Sequence, residues 1–498
     1  MSKRRTIGLF LGPLIFVLFV LLPAPEGMSD AGMHVAAVAA LMAVWWVSEA
    51  VPIPATALIP IALFPLLGVM KTPEVTGAYG NHLIYLFMGG FFIAVTMEKW
   101  NLHKRIALHT ILLVGISPNR IILGFMIATA FLSMWISNTA TAMMMVTIGL
   151  AVIRQTESML TEEQQDEVMA LHAFATALML SIAYAASIGG IATLIGTPPN
   201  AILAGVVEKN YGITIGFADW MMFALPLSIV MLGLTWYYLT HFVYRSEMNE
   251  LPGGKQTIHQ ELQRLGPIKK QEKRVLVVFI CVAAAWILRS IVDIDGLEMV
   301  TDSSIAMLGA LALFVLPADF SKREFLLDWN TAVKIPWDII ILFGGGFALA
   351  QGFTSSGLTE WVANQLTVLQ GANIVLLVAM IVLLVIFLTE VTSNTATASL
   401  LLPIMGALAI AMNIHPLATM IAVAIAASFA FMLPVATPPN AIVFASRAVT
   451  IPQMAKVGFA LNMLGVVIIT LFVMVVLPLA MGVDIQHLPE MFNASSAR

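Results

Sequence analysis

The sequence carries the same pair of polar motifs twice within strongly apolar surroundings. Ser-Asn-Thr-Ala-Thr-Ala occurs at 137–142 and again at 393–398, and Thr-Pro-Pro-Asn-Ala-Ile follows downstream of each copy, at 197–202 and 437–442. Amides, hydroxyls and helix-breaking prolines are costly inside a lipid bilayer unless they line a cavity. Two matched pairs therefore predict one binding site that is built from two halves of the chain.

The composition identifies the kind of chain in which these motifs lie. Of the 498 residues, 60% are hydrophobic and only 10% are charged, against about 25% charged residues in an ordinary soluble protein. The apolar residues come in blocks of about 20, which is the length that crosses a bilayer as a helix. We therefore expect an all-α polytopic membrane protein. Its net charge of −4, without a basic patch, predicts no nucleic-acid partner.

The first 25 residues allow two interpretations. Lys3, Arg4 and Arg5 precede an apolar run over 7–22, which fits either a cleaved signal peptide or a first transmembrane helix. The run is long for a signal peptide and no small-residue cleavage site follows it at once, so a transmembrane helix is favoured. With either interpretation, the basic residues predict a cytoplasmic amino terminus.

Two acidic residues and one cysteine lie in or beside apolar segments. Glu49 could be a functional acid within the membrane, but its place after two tryptophans favours a carboxylate at a helix junction near the interface. Glu390, just before the second Ser-Asn-Thr copy, is predicted to face a polar partner within the fold rather than a substrate. Cys281 is the only cysteine, which excludes a disulfide within one chain, and we expect it to be a small core residue.

The first Ser-Asn-Thr copy interrupts an apolar stretch that is too short for two crossings. The 33 residues from 121 to 153 are flanked by Arg120 and Arg154, whereas two full crossings need about 40 residues. Positive residues at both ends predict that both ends are cytoplasmic. We therefore expect a re-entrant helical hairpin with the polar turn at its tip. The second copy predicts an equivalent hairpin at about 372–412.

A constant shift relates the two halves of the chain. The Ser-Asn-Thr copies lie 393 − 137 = 256 residues apart, and the same shift aligns Gly89-Gly90-Phe91 with Gly345-Gly346-Phe347. The Thr-Pro-Pro-Asn copies follow in the same order, 437 − 197 = 240 residues apart. Matched landmarks in one order indicate a duplicated fold. The predicted units are a first repeat at 1–243, a linker at 244–274 and a second repeat at 275–498.

The expected number of crossings sets the orientation of the repeats. Six crossings before 244–274 return the chain to the cytoplasm, which agrees with the excess of Lys and Arg in this linker. Three further crossings precede the second hairpin, which therefore enters from the opposite side. This count predicts inverted repeats, an arrangement that places a site at the bilayer midplane. The carboxyl-terminal tail after Gly482 has one basic residue and is predicted to lie outside.

The uncharged motifs suit an anion that binds together with cations. Their hydroxyls and amides can donate to an anion, and helices that begin at Ser137 and Ser393 direct partial positive charge at the tips. Prolines at 198–199 and 438–439 free carbonyl oxygens that suit sodium. Because neither motif contains Lys or Arg, bound cations would have to balance a doubly charged anion. Helix capping and proline kinking alone are the structural alternatives.

At these residues the chain resembles the divalent-anion/sodium symporter family, which includes dicarboxylate and citrate transporters. The resemblance covers nearly the whole chain, from Trp-x-x-x-Glu-Ala at 45–50 through both motif pairs and the linker. It implies about eleven transmembrane helices and two re-entrant hairpins in each protomer of a homodimer. It also implies an elevator-type mechanism. The implied scaffold is about 7–110 and 217–353, and the implied transport domain is about 120–208 and 372–446.

The resemblance also implies the binding residues, position by position. The first sodium site falls on Ser133, Ser137, Asn138 and Gly196. The second sodium site falls on Thr389, Thr392, Asn394 and Ala436. The substrate carboxylates fall on Ser137, Asn138, Thr139, Ser393, Asn394 and Thr395, with Thr197, Thr437 and Pro438 nearby.

Together, the motifs and the resemblance predict a secondary active transporter rather than an enzyme. It would couple sodium entry to the uptake of C4 dicarboxylates such as succinate, fumarate or malate across the cell membrane. The resemblance leaves open a dicarboxylate or citrate exchanger and a carrier of sulfate or another inorganic anion, and an ion channel is the alternative of another class. The sequence contains no His-Glu-x-x-His motif and no phosphate-binding glycine loop.

Overall fold

The chain folds almost entirely into helices. The computed structural model describes residues 3–115, 117–160, 165–244, 251–291 and 299–489. Within these ranges, eight helical stretches are long and apolar enough to cross a bilayer, or nine if one pair bent by 119° is a single span. The prediction of an all-α polytopic membrane protein is confirmed, and the count of eleven crossings stays a prediction.

The described residues of the first half form twelve α-helices. They are α1 (Lys3–Leu21), α2 (Asp30–Ser48), α3 (Ile53–Thr56), α4 (Ile59–Leu66), α5 (Thr72–Ala78), α6 (His82–Lys99), α7 (Leu102–Val114), α8 (Pro118–Ser133), α9 (Asn138–Glu157), α10 (Gln165–Gly190), α11 (Pro198–Tyr211) and α12 (Phe217–Tyr237). A π-helical segment, Tyr238–Val243, continues α12. The apolar run that follows the basic amino terminus is the helix α1, which packs along α2.

The linker and the second half supply the remaining elements. The helices are α13 (Gly254–Leu265), α14 (Lys270–Ile291), α15 (Asp302–Val315), α16 (Trp329–Ala332), α17 (Trp337–Ser355), α18 (Leu358–Leu366), α19 (Ile374–Thr389), α20 (Asn394–Ala411), α21 (Pro416–Ala426), α22 (Pro438–Ala445), α23 (Ile451–Leu471) and α24 (Leu477–Met481). A 3₁₀ turn, Thr367–Leu369, follows α18, and a π-helical segment, Phe472–Val476, joins α23 to α24. Strands β1 (Pro317–Asp319) and β2 (Glu324–Phe325) pair antiparallel. Parts of the predicted linker and external tail, 245–250 and 490–498, lie outside the described residues.

The duplicated sequence gives helices with matching boundaries. Helix α8 ends at Ser133 and α19 at Thr389, while α9 begins at Asn138 and α20 at Asn394. Both pairs of boundaries differ by 256. Phe87 and Phe343 are also equivalent under this shift, and their rings meet edge to face with centroids 4.8 Å apart. The two halves therefore share helix boundaries as well as sequence motifs, and the inverted repeats stay a prediction.

The two halves pack into each other around two broken helices. These are α10 with α11 in the first half and α21 with α22 in the second. Helix α11 of the first half packs against α20 and α21 of the second, and α22 of the second half packs against α9 and α10 of the first. Helix α12, which the resemblance assigned to the scaffold, packs against α8, α10, α23 and α24 as well as α14. The reciprocal packing brings both polar motif pairs to one place, and the division into scaffold and transport domain stays a prediction.

Cys281 is an exposed residue, so its assignment to the core is wrong. It lies on α14 beside the exposed side chains of Val277, Ile280 and Leu288. Spacing of three to four residues places these side chains on one face of the helix. In a membrane protein, an apolar residue can face lipid as readily as the core, so hydrophobicity alone does not separate the two.

Candidate substrate and cation site

Each Ser-Asn-Thr copy forms a turn that ends one helix and begins the next. The four residues 134–137 separate α8 from α9, and 390–393 separate α19 from α20. Ser137 caps α9, because its hydroxyl oxygen accepts from the backbone N–H of Ala140 at 3.2 Å. Ser393 makes no such side-chain cap. Both turns therefore present the start of a helix, with its partial positive charge, at a polar tip.

Both tips line a single cavity of about 530 Å³. Its lining includes all nine residues that the resemblance implied for the substrate: Ser137, Asn138, Thr139, Thr197, Ser393, Asn394, Thr395, Thr437 and Pro438. Six of the eight predicted sodium ligands also line it: Ser137, Asn138, Gly196, Thr392, Asn394 and Ala436. The fold thus gathers motif residues from both halves of the chain around one space.

The other two predicted sodium ligands lie behind the tips. The hydroxyl of Ser133 contacts both Oδ1 of Asn138 and the carbonyl oxygen of Ala186, the latter at 2.7 Å. In the second half, Oγ1 of Thr389 lies 2.8 Å from Oδ1 of Asn394 and 2.9 Å from the carbonyl oxygen of Ala427. A hydroxyl has one proton and can donate to only one of two acceptors. With Oδ1 of each asparagine facing the hydroxyl, each cluster has two acceptor oxygens for one hydroxyl proton. The oxygen that receives no proton is suited to contact a bound cation.

The chemistry of these clusters favours an alkali-metal cation. Within the ranges that the structure describes, no group of three or more His, Cys, Asp or Glu side chains could hold a metal ion. Zinc and other transition metals prefer nitrogen and sulfur ligands, whereas hydroxyl, amide and carbonyl oxygens suit a hard cation such as sodium. The uncharged ligand sets therefore agree with the predicted ion.

Small residues let the first broken helix approach the first tip. A Cβ atom at Gly190 would lie 2.7 Å from Oδ1 of Asn138, and one at Gly196 would overlap the carbonyl group of Gly190. Side chains at these positions would therefore push the backbone away from Asn138. Gly196 fits its predicted role because it brings backbone, rather than a side chain, next to the tip.

Two buried asparagines anchor the unwound segments between the broken helices. Nδ2 of Asn200 donates to the carbonyl oxygen of Thr193 at 2.7 Å and lies 3.2 Å from that of Ile191. Nδ2 of Asn440 donates to the carbonyl oxygens of Ala430 and Leu433, both at 3.0 Å. These bonds satisfy carbonyls that a continuous helix would have used. The sequence analysis missed this role, although the asparagine recurs in both Thr-Pro-Pro-Asn motifs.

Glu390 has polar partners within the fold, as predicted. Its carboxylate accepts from three consecutive backbone N–H groups, of Phe431 at 2.8 Å, Met432 at 2.9 Å and Leu433 at 3.0 Å. It also accepts from Nδ2 of Asn462 at 2.7 Å. Only 3% of Glu390 is exposed, so this carboxylate stabilises the second unwound segment rather than touching the cavity.

Arg4 and Glu49 also line the cavity, which the sequence analysis did not predict. Glu49 follows the end of α2 with a left-handed backbone, φ 51°, as expected for a helix junction. Its carboxylate lies 3.0 Å from Nη2 of Arg5 and 3.9 Å from Nη2 of Arg4. The basic residues at the amino terminus predicted only that this end is cytoplasmic. Their spacing did not indicate that one of them lines the cavity. The charged residues in the described lining of the cavity are thus Arg4 and Glu49, and the rest of that lining is uncharged, with both polar and apolar side chains.

The sequence is similar to a family of transport proteins along nearly its whole length. Residues 3–481 match the family described as the sodium:sulfate symporter transmembrane region. The sodium-dependent dicarboxylate transporter SdcS of Staphylococcus saprophyticus is 46% identical over 489 residues, which cover 97% of this chain and 94% of that protein. The protein of the same name from Staphylococcus aureus strain USA300 is 45% identical over 492 residues, covering 98% and 94%.

Two solved structures share the fold at low sequence identity. MtrF of Neisseria gonorrhoeae, described with a class of antimetabolite efflux pumps, has a TM-score of 0.57 and 13% identity, covering 95% of this chain and 94% of that one. The YdaH transporter of Alcanivorax borkumensis has a TM-score of 0.53 and 12% identity, covering 97% and 98%. At such identities the likeness is one of fold alone.

Proposed function

Since the chain belongs to the sodium:sulfate symporter family of membrane transporters, we propose that it couples sodium entry to the uptake of C4 dicarboxylates such as succinate, fumarate and malate. The observation that carries this proposal is the meeting of two uncharged polar tips in one cavity. The Staphylococcus relatives, at 45% and 46% identity, are named for sodium dependence and for dicarboxylates, which supports both parts of the proposal.

The charge balance of the cavity explains why sodium and the anion bind together. A dicarboxylate brings two negative charges, and each helix start offers only about half a positive charge. Arg4 lines the cavity, but Glu49 lines it as well, 3.9 Å away, and offsets its charge. A sodium ion behind each tip, at Ser133 with Asn138 and at Thr389 with Asn394, would supply the missing charge. The anion then binds well only when sodium is bound, which is the thermodynamic basis of coupling.

The two tips suit the two ends of a short diacid. One carboxylate would receive hydrogen bonds from the first tip and the other from the second, at the matching positions Ser137 and Ser393 and the adjacent Asn and Thr residues. Charge-assisted bonds of this kind are roughly twice as strong as bonds between neutral groups. The apolar side chains of Phe87, Phe91 and Ile195 also line the cavity and would contact the carbon chain between the carboxylates.

The proposed transport cycle moves the paired motifs as one body. The hairpins and the broken helices pack reciprocally across the two halves, so they can travel together against the remaining helices in an elevator-type motion. We assign the amino terminus and the linker to the cytoplasm and the tail to the outside, and we propose that the transporter works as a homodimer.

Uptake into proteoliposomes tests the proposal directly. The purified protein is reconstituted, and labelled succinate is supplied with either sodium or choline outside. We expect uptake above empty liposomes only with an inward sodium gradient. Equal uptake with choline would contradict sodium coupling, and uptake that requires an anion preloaded inside would instead identify an exchanger.

Sulfate is the second candidate substrate, because the family description names it. A dicarboxylate has two separated charged groups that can engage both tips, whereas sulfate is a single compact anion. We therefore expect unlabelled fumarate and malate to compete with succinate more strongly than sulfate or citrate. Strong competition by sulfate alone would select the inorganic anion.

A further inference from the structure

A second cavity lies away from the motifs, where the linker helix meets the first hairpin. Its volume is about 510 Å³, within the range of roughly 300–1,000 Å³ for small-molecule sites. Residues of α7, α9 and α13 line it. We call it the linker groove. None of its lining residues belongs to the motif cavity.

The charged side chains of the linker groove are mostly basic. Lys104, Arg154 and Arg264 contribute three positive charges, and Glu261 contributes one negative charge, which leaves a net charge of 3 − 1 = +2. Glu261 is already engaged by Nζ of Lys104 at 2.8 Å and by Nη1 of Arg264 at 2.5 Å. The hydrogen bond from Lys104 lowers the pKa of the Glu261 carboxyl, so this acid is ionised at neutral pH and an excess of two positive charges remains.

The wall of the linker groove on α9 is mostly apolar. It is formed by Met144, Ile148, Leu150 and Ala151, with Thr147 as its one uncharged polar residue. These residues precede Arg154, which lies in the last turn of the helix. Thus the wall changes from apolar to basic toward the end of α9, where the positive-inside rule places the cytoplasmic surface. A ligand that matches both parts has an apolar tail and an anionic head.

We propose that the linker groove binds an anionic phospholipid, with its phosphate against the basic residues and an acyl chain along α9. Basic pockets between transmembrane helices on the cytoplasmic side are suited to such head groups, and that leaflet is rich in anionic lipid. Inorganic phosphate is also an anion, but it has no apolar part that could contact the apolar wall. The lining therefore favours a lipid over free phosphate. The bound lipid would bridge the linker helix and the first hairpin.

Lipid retention by the intact protein tests this assignment. The delipidated protein in detergent is titrated with dioleoyl phosphatidylglycerol, and bound lipid is counted by native mass spectrometry. The double variant Arg154→Gln with Arg264→Gln should bind it about 25-fold more weakly, since each basic residue near a membrane surface contributes about five-fold. Glu261→Gln should bind it more tightly, because it removes the one negative charge. Lys322→Gln, an exposed lysine outside the groove, is the matched control and should bind like the unaltered protein.

Three results would overturn the assignment. One is unchanged phosphatidylglycerol binding in the double variant. Another is equal binding of dioleoyl phosphatidylcholine, which would show that charge is not recognised. The third is competition by inorganic phosphate at concentrations equal to those of the lipid, which would show that the apolar wall is not used. Because all readouts are of binding, they are independent of whether the protein transports succinate. Size-exclusion profiles before titration verify that each variant is folded.

Discussion

The two broken helices carry the same Thr-Pro-Pro-Asn motif but differ in how far they unwind. In the first half, α10 ends at Gly190 and α11 begins at Pro198, so seven residues, 191–197, are unwound, and all are buried. In the second half, α21 ends at Ala426 and α22 begins at Pro438, so eleven residues, 427–437, are unwound. The second segment is also more open, with Val435 exposed to 78%.

The surroundings of the two segments compensate for this difference. Position 134 in the first half is equivalent to position 390 in the second, since 390 − 134 = 256. The carbonyl oxygen of Met134 accepts a bond from Oγ1 of Thr193 at 2.6 Å, whereas Glu390 accepts three backbone N–H groups with its carboxylate. A longer unwound segment leaves more buried N–H groups without helical partners. The second half therefore needs an acceptor that the first half does not need.

The comparison shows that the residues of the two tips match between the halves, whereas some of the contacts that support the tips do not. The residues at the tips are nearly identical in the two halves, as expected if both halves bind equivalent groups of one ligand. The supporting residue at the equivalent positions Met134 and Glu390 differs, because the unwound segments differ in length. The anchoring residues Asn200 and Asn440, in contrast, recur. Variants at matched positions can separate these two kinds of residue.

The largest effect is expected at the tips themselves. Asn138→Ala and Asn394→Ala should each reduce sodium-driven succinate uptake at least about tenfold, because a hydrogen bond to a charged group contributes about 1.5–3 kcal/mol. Proteoliposome uptake measures this loss. Asn364→Ala, at an exposed position on α18, is the control. If one tip variant transports normally, the two halves do not share one site.

Glu390→Gln should lower stability more than it lowers substrate affinity. The neutral side chain turns an N–H₂ group toward the backbone N–H donors, and we expect a loss of about 2–3 kcal/mol in the free energy of unfolding. Met134→Leu at the equivalent position should cost less than about 1.5 kcal/mol. Thermal unfolding in detergent compares the two, and equal destabilisation would refute the compensation described above.

Truncation of the anchoring asparagines should have a smaller effect on stability. Asn200→Ala and Asn440→Ala each leave buried carbonyl oxygens without their donor, which costs about 1–2 kcal/mol. Asn200 makes the shortest bond, 2.7 Å to Thr193, and anchors the fully buried segment 191–197, so we expect its loss to be the greater. Melting temperatures of both variants test the order, and a larger loss for Asn440→Ala would reverse it.

The smallest effect is expected from replacing Thr389, the hydroxyl residue behind the second tip. Thr389→Ser keeps the hydroxyl and reproduces the residue found at Ser133, so the sodium concentration for half-maximal uptake should not change. Thr389→Ala should raise it about five-fold, since it removes one hydrogen-bonding oxygen worth about 1 kcal/mol. An unchanged sodium requirement in Thr389→Ala would remove this residue from the cation site.

The sequence predicted the repeat and the position of the tips, and the family resemblance implied nine of the residues that line the cavity. The shift of 256 residues could be counted without coordinates, and it holds for the ends of α8 and α19. The nine implied substrate residues line one cavity, and their motifs recur in the same order in both halves of the chain. The repeat and the tips could be predicted from local motifs and their spacing, whereas the individual site residues were implied by the family resemblance.

Other features depend on contacts between distant parts of the chain. Asn462 bonds to Glu390 from 72 positions away, and no local pattern links the two residues. Arg4 reaches the cavity because α1 packs along α2, which the basic amino terminus does not reveal. Cys281 lies in an apolar run whose outward face could be recognised only from the packing of α14. Long-range packing, rather than residue type, decided all three.

Binding of succinate to the purified protein is the most direct test of the joint site. Isothermal titration is performed in sodium and in choline for the unaltered chain, Asn138→Ala and Asn394→Ala. We predict one succinate per chain in sodium, no measurable binding in choline, and loss of that single binding event in either variant. Full succinate affinity in one of the two variants would contradict a site formed jointly by both tips. Equal binding of succinate in sodium and in choline would contradict the part that sodium has in that site.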